Sequence, residues 1–234
     1  MPYAAVTGAS QGMGKVIAEK LLSEGFSIAV CARNQYKLSE NVANWKNQFP
    51  GRLIISRATD LSKKEEVNAF GELVLAEFPS IDILVNNAGT YLPGNLADEP
   101  DGLLETLIGT NLYSAYWLTR KLLPAFISKQ AGHIFNICSV ASLKAYPNGG
   151  AYSISKYALL GFSENLREEL RLYNIKVTSI CPGATFTPSW EGSGVAPERI
   201  MESADVAAML YSSYLLSAQA CVETLIMRPV KGDL

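Results

Sequence analysis

Tyr3-Ala4-Ala5-Val6-Thr7-Gly8-Ala9-Ser10-Gln11-Gly12-Met13-Gly14 joins a short apolar run to a segment of helical spacing (Val16, Ile17, Leu21, Leu22) through a glycine-rich turn. A strand that turns on glycines straight into a helix presents backbone N–H groups at the helix N-terminus, where a pyrophosphate is held. The spacing is G-x-x-x-G-x-G, not the more familiar G-x-G-x-x-G. Spacing alone also fits a turn with no ligand. The position between the first strand and the first helix favours the phosphate.

The rest of the chain repeats this strand-helix unit. Apolar runs at 3–7, 27–32, 52–58, 82–86, 133–139, 176–181 and 222–227 read as strands. Helical spacing between them is carried by Val67, Phe70, Leu73, Val74 and Phe78, then by Leu112, Tyr116, Leu118, Leu122, Leu123 and Phe126. Leu159, Phe162, Leu166 and Leu170 carry the segment that begins at Tyr152. Alternation of this kind predicts βαβ units and a parallel sheet. Runs such as Ile83-Leu84-Val85 are apolar on both alternations, as expected when helices cover both faces. No repeat or linker divides the chain, so a single α/β domain over 1–234 is expected. The least regular part, 184–197, carries Pro188, Gly192, Gly194 and Pro197 and reads as a loop or lid, placed at about 187–202.

Hydrophobic residues make up 48% of the 234 and charged residues 18%, which suits one sizeable core. Twenty basic against twenty-two acidic residues give no electrostatic argument for nucleic acid or an anionic membrane as partner. The first residues carry no basic n-region, and no run reaches the roughly 18 apolar residues of a spanning helix. Cys31, Cys138, Cys181 and Cys221 are scattered through strand-like runs and read as buried free thiols. A cytoplasmic setting is expected. A lone histidine, His133 in a turn before an apolar run, argues against a metal site or a Ser-His-Asp triad.

Tyr152-Ser153-Ile154-Ser155-Lys156 opens its helical segment with a phenol and an ammonium four residues apart. That spacing sets Cβ atoms about 5–6 Å apart. A free phenol titrates near about 10, and a neighbouring cation favours the phenolate, bringing it toward proton-transfer chemistry. Ligands of an open parallel sheet bind beyond the carboxyl ends of its strands. Those ends carry Asp60, Asn86-Asn87-Ala88-Gly89, Ser139 and Pro182-Gly183, and helix starts bring Asn111, Tyr152 and Lys156 to the same edge. The second strand ends in Cys31-Ala32-Arg33-Asn34. An Arg here, with no acid at the tip, suits the 2′-phosphate of NADP over the bare ribose of NAD. Each residue has a plainer reading: Arg33 a solvated surface charge, Ser139 a turn residue, Asn111 a helix cap, Tyr152 core and Lys156 a solvated head. Their joint placement beside the glycine turn outweighs those readings. Ser62-Lys63-Lys64-Glu65-Glu66 is left as a solvated first helical turn.

With these motifs in order, the chain resembles the short-chain dehydrogenase/reductases from Tyr3 to the C-terminus: T-G-x-x-x-G-x-G at Thr7–Gly14, Asp60, the Asn86-to-Gly89 turn, Asn111, Ser139, Tyr152-x-x-x-Lys156, and Pro182-Gly183 with Thr187. The resemblance implies a Rossmann-type, doubly wound sheet of seven parallel strands. It makes Tyr152 the acid/base, has Ser139 bond the substrate oxygen, sets Lys156 on the nicotinamide ribose, where it lowers the tyrosine pKa, and gives Asn111 a relay water. Asp60 would contact adenine and Thr187 the nicotinamide carboxamide. The glycine turn would cradle the cofactor through Gly8, Ser10, Gln11, Gly12, Met13 and Gly14, with Arg33 at the phosphate. Leu61 beside Asp60, then Asn87, Ala88 and Gly89, and finally Pro182, Gly183 and Thr185, would line the rest of the cleft with Tyr152 and Lys156.

Related NADP enzymes often carry a further basic residue in the turn, where this chain has Gln11, so NADP(H) is favoured and NAD(H) stays open. The expected activity is reduction of a ketone or aldehyde, or the reverse oxidation of a secondary alcohol. Candidate substrates are 3-oxoacyl thioesters, 3-hydroxy acids, small ketones and pterins, with Trp190 of the lid closing over them beside Ser139 and Tyr152. The alternative is a dinucleotide-binding sensor of the same fold that turns nothing over. An extended sugar-nucleotide epimerase is disfavoured by the glycine spacing. Apolar residues on more than one face of 111–128 and 152–173, including Tyr113, Tyr116 and Trp117, suggest a homodimer or homotetramer through these helices.

Overall fold

The computed structural model describes residues 1–190 and 192–234. Its strands are β1 (Tyr3–Thr7), β2 (Ser27–Ala32), β3 (Ile54–Ala58), β4 (Ile83–Asn86), β5 (Gly132–Ile137), β6 (Ile175–Pro182) and β7 (Thr224–Met227). They form one parallel sheet in the order β3-β2-β1-β4-β5-β6-β7. Its helices are α1 (Gly12–Ser23), α2 (Gln35–Gln48), α3 (Lys64–Glu77), α4 (Leu103–Ile108), α5 (Ser114–Lys129), α6 (Gly150–Leu170) and α7 (Ser203–Tyr214).

Side chains alternate across a strand, and in the five inner strands both alternations are buried. Val6, Ile28, Val30, Val85 and Phe135 pack with Ile17, Leu21, Trp45, Val206 and Leu210, the layer of α1, α2 and α7. Ala5, Ala29, Leu84 and Ile134 pack with Val67, Phe70, Leu118, Leu122 and Leu166, the layer of α3, α5 and α6. Burying a Val or Leu side chain contributes about 1.5–3 kcal/mol, against at most about 1 kcal/mol for a surface ion pair. The two apolar layers hold the fold. Inside the second, Asn86 Nδ2 donates to Asn136 Oδ1 (2.8 Å) and Thr119 Oγ1 (2.9 Å), and Asn136 Nδ2 donates to Ser163 Oγ (2.7 Å). Buried amides need such partners, and these stitch β4 and β5 to α5 and α6.

The chain winds outward from β1 through β2 to β3, then returns to β4 on the other side of β1. That reversal opens a crevice at the carboxyl ends of β1 and β4, where ligands of such sheets bind.

Several boundaries differ from expectation. β3 starts at Ile54, because the Arg52 N–H is spent closing a turn on the Phe49 carbonyl. β5 stops at Ile137, since Ser139 leaves the sheet to cap the 3₁₀ turn Val140–Ser142. His133 lies inside β5, not in a turn; it is buried, with Nε2 2.7 Å from Thr178 Oγ1 and its ring stacked on Phe135. Cys221 is half-buried in the approach to β7, unlike the three buried thiols.

Candidate active site

The glycine turn is built by close approach. Gly8 has φ 69°, and a Cβ on it would come 2.9 Å from Asn87 Nδ2. A Cβ on Gly14 would come 2.4 Å from the Gly8 carbonyl oxygen. Thr7 Oγ1 accepts from the Asn87 and Ala88 N–H groups, both at 3.0 Å, and Asn87 Nδ2 donates back to the Thr7 carbonyl at 2.9 Å. The Gly8 N–H donates to the Cys31 carbonyl at 2.8 Å, so the ends of β1, β2 and β4 are tied together. At the start of α1, Gln11 makes no side-chain cap and the first turn carries no acid. Uncapped donors with no competing carboxylate fit an anionic pyrophosphate. Ser10 offers its carbonyl to Asn41 Nδ2 (2.9 Å), while Met13 packs on the core.

Beside this turn, Arg33 is exposed just past β2. Asp60 Oδ1 accepts from the Ser62 N–H (3.1 Å) and hydroxyl (2.7 Å). Those bonds, chiefly the hydroxyl, hold its carboxyl below the usual range despite some burial, with smaller help from Lys63 and Arg33. Leu61 is buried in the second core layer.

The other end of the crevice is built from side chains. Lys156 is buried, and its Nζ donates to the Ile137 carbonyl at 2.9 Å. Burial pushes its pKa down. Gly89 lies against it: a Cβ there would stand 3.3 Å from Lys156 Nζ and 3.2 Å from Asn111 Oδ1. Asn111 is not at a helix start. It sits in a π-helical turn, Gly109–Tyr113, between α4 and α5. Such turns widen a helix locally and turn a side chain inward. Its Oδ1 accepts from the Thr90 N–H (2.7 Å), and its Nδ2 donates to Ser155 Oγ (2.9 Å) and the Thr90 carbonyl (3.1 Å). Gly89, Asn111, Ser155 and Lys156 thus form one contiguous group.

Ser139 and Tyr152 are neighbours in the crevice. Ser139 caps its turn, its Oγ accepting from the Ala141 N–H at 3.1 Å, and its hydroxyl is close enough to the Tyr152 phenol to lower its pKa. The Tyr152 pKa departs from expectation. Burial is the largest influence and pushes it up to about 12; the nearby Ser139 hydroxyl pulls the other way, while Tyr91 and Cys138 add to the rise. The Lys156 ammonium stands 6.0 Å from the Tyr152 ring centre, its bond given to Ile137. Helical spacing does bring the two together, but burial and not the ammonium sets the phenol's pKa.

Two further tyrosines, not singled out from sequence, complete this end. Tyr91 packs edge-on against Tyr152, with ring centres 4.8 Å apart. Tyr146 lies near Tyr91; burial pushes its pKa up, and Tyr91 adds to the rise. The loop that carries Tyr91 is docked on α6, Glu99 Oε2 accepting from the Ala151 N–H at 3.1 Å at the helix N-terminus. Tyr91 stands two residues beyond Gly89, and that adjacency is the sequence signal for it. Ser155 lies inside the Tyr152-to-Lys156 stretch, on the face turned toward Asn111.

Past β6, the Gly183 N–H donates to the Met227 carbonyl (2.8 Å) and Thr185 Oγ1 to the Gly183 carbonyl (3.0 Å). Thr185 pairs with Met201 as an isolated parallel bridge, which joins the two ends of the segment between β6 and α7. Thr187 meets the glycine turn, since a Cβ on Gly12 would come 3.3 Å from its Cγ2. Trp190 lies in the 3₁₀ turn Pro188–Trp190, and the described contacts do not join its indole to Ser139 or Tyr152. Glu191, within the lid, lies outside the described residues.

The short chain dehydrogenase family model matches residues 2–195. The chain belongs to the short-chain dehydrogenase family. Across 227 residues it is 30% identical to an uncharacterized oxidoreductase of Staphylococcus epidermidis, covering 97% of this chain and 96% of that one. Its fold superposes on an alcohol dehydrogenase of Thermococcus sibiricus complexed with 5-hydroxy-NADP, at a TM-score of 0.90, 25% identity and coverage of 98% and 97%. It also superposes on the L-sorbose reductase of Gluconobacter frateurii complexed with NADPH and L-sorbose, at a TM-score of 0.88, 28% identity and coverage of 97% and 94%.

Proposed function

We propose that this protein is an NADP(H)-dependent carbonyl reductase, working reversibly on a secondary alcohol, with Tyr152 as its acid/base. The observation that carries this is the placing of the Tyr152 phenol beside the Ser139 hydroxyl and the Lys156 ammonium, at the same crevice as the glycine turn. Structural neighbours complexed with NADP or NADPH support the choice of cofactor. The chemistry that NADP(H) supplies when bound is hydride transfer. Uncapped donors at α1 suit its pyrophosphate, and Arg33 suits a 2′-phosphate.

In the reducing direction, Ser139 donates a hydrogen bond to the substrate oxygen and Tyr152 gives it a proton. One C–H and one O–H bond form as the carbonyl π bond breaks. The phenol is protonated at neutral pH, and the burial that raises its pKa works against its giving up that proton. Lys156 and Ser139 stabilise the phenolate left behind, and Asn111, bonded to Ser155 and Thr90, holds the path by which the proton is replaced. The segment 187–202 is the lid, with Trp190 its aromatic face. Exposed Tyr113, Tyr116, Ile154 and Tyr157 on and beside α5 and α6 support pairing of two copies through these helices.

The test is loss of NADPH absorbance with a panel of ketones and aldehydes, wild type against Tyr152→Phe. Turnover that vanishes in the variant is expected. NADPH binding with no turnover on any carbonyl would instead support a dinucleotide sensor.

A further inference from the structure

Gln11 stands where a basic residue of the turn would reach a 2′-phosphate, yet a cation is present there. The Lys37 ammonium, on the first turn of α2, donates to Gln11 Oε1 at 2.9 Å. Its position is set by the helix. Asn34 caps α2 by accepting from the Lys37 N–H (3.0 Å), and Asn41, one turn on, donates from Nδ2 to the Ser10 carbonyl (2.9 Å). Residues 37 and 41 share a helix face, so the face that grips the glycine turn also carries Lys37. Leu38 and Trp45, both buried, fix α2 against the core. Among the described residues the side-chain partner of Lys37 is Gln11 and not a carboxylate, whereas Asp60 is held by Lys63 and feels the charge of Arg33.

We propose that Lys37 is the second cation of the 2′-phosphate site and shares with Arg33 the discrimination of NADP(H) from NAD(H). This rests on the NADP(H) reading above. With its acceptor oxygen occupied by Lys37, Gln11 turns its two amide N–H donors to the phosphate. Lys37 adds the charge that the turn lacks, and its solvated head engages without the desolvation that a buried lysine would incur. Lys37 is exposed, so its replacement leaves the fold intact.

The test is calorimetric titration of the free enzyme with 2′,5′-ADP and with 5′-AMP, two ligands that differ only in the phosphate in question. Lys37→Met is expected to weaken 2′,5′-ADP by about tenfold, the effect of one charge-assisted hydrogen bond. Binding of 5′-AMP should stay within twofold. Adding Gln11→Lys to that variant should restore the lost affinity by putting the charge on the turn itself. Unchanged 2′,5′-ADP binding in Lys37→Met would overturn the proposal while leaving NADP(H) in place through Arg33. Parallel weakening of both ligands would also overturn it, as Lys37 would then only shape the turn. Equal binding of the two ligands by the wild type would overturn the NADP(H) reading itself.

Discussion

At one end of the crevice, Thr7, Gly8, Gly14 and Asn87 hold one another through backbone atoms and through space that a side chain would fill. At the other, Ser139, Tyr152, Lys156 and Tyr91 meet through side-chain groups taken out of water. The first end is a matter of shape and belongs to the fold. The second is a matter of charge and proton affinity. A residue at the first end should therefore report on stability and binding together, and one at the second on chemistry alone.

The largest effect separates them at Lys156. Lys156→Met is expected to lower turnover by about 10³-fold, the scale of losing a group that supports proton transfer. Its melting temperature should hold or rise, because a buried cation is replaced by an apolar side chain of similar size. Thermal unfolding beside steady-state rates checks both. A melting temperature that falls along with the rate would put Lys156 among the shape-holding residues.

Gly14→Ala is the converse. Alanine is favoured over glycine in a helix by about 1 kcal/mol, but a Cβ 2.4 Å from the Gly8 carbonyl oxygen forces the turn open. Overpacking of this kind costs about 1–3 kcal/mol, and backbone cannot yield as a flexible side chain does, so the clash wins. A fall in melting temperature of about 2–8 °C is expected, with NADPH affinity falling beside it. Gain of stability would mean that the turn has slack.

His133 sharpens the comparison from the smallest side, as a buried titratable group outside the crevice. Burial, with a lesser push from Lys176, lowers its pKa from 6.5 to about 3. The folded protein then refuses a proton that the unfolded chain accepts, so this contribution is complete above about pH 6.5 and is lost as pH falls toward 3. Between pH 7 and 5 it should remove about 2 kcal/mol of stability. Urea midpoints at the two pH values should shift less in His133→Gln than in wild type. Equal shifts would show that the ring is protonated in the fold.

The shape-built end was the more legible in sequence. Glycines at 8, 12 and 14 after an apolar run have few other uses, and both alternations of Ile83-Leu84-Val85 announce a covered strand. Tyr152 and Lys156 were legible as a pair because helical spacing is local. The shift of the Tyr152 phenol was not, because it depends first on burial by segments that meet only in the fold, with Tyr91 and Cys138 adding a lesser part. Nor was the setting of Asn111, since a π turn leaves helical periodicity nearly unchanged. Lys37 escaped for the same reason as Tyr91: its partner Gln11 lies 26 residues away and meets it only across the packed α2.

The account is tested most directly by measuring two quantities on Tyr152→Phe: NADPH affinity by fluorescence titration, and single-turnover reduction of whichever carbonyl the wild type accepts. Affinity within twofold of wild type, with a rate lowered by about 10³-fold, is the predicted result. Affinity and rate falling together, or a rate left standing, would contradict the division between an end that binds and an end that moves the proton.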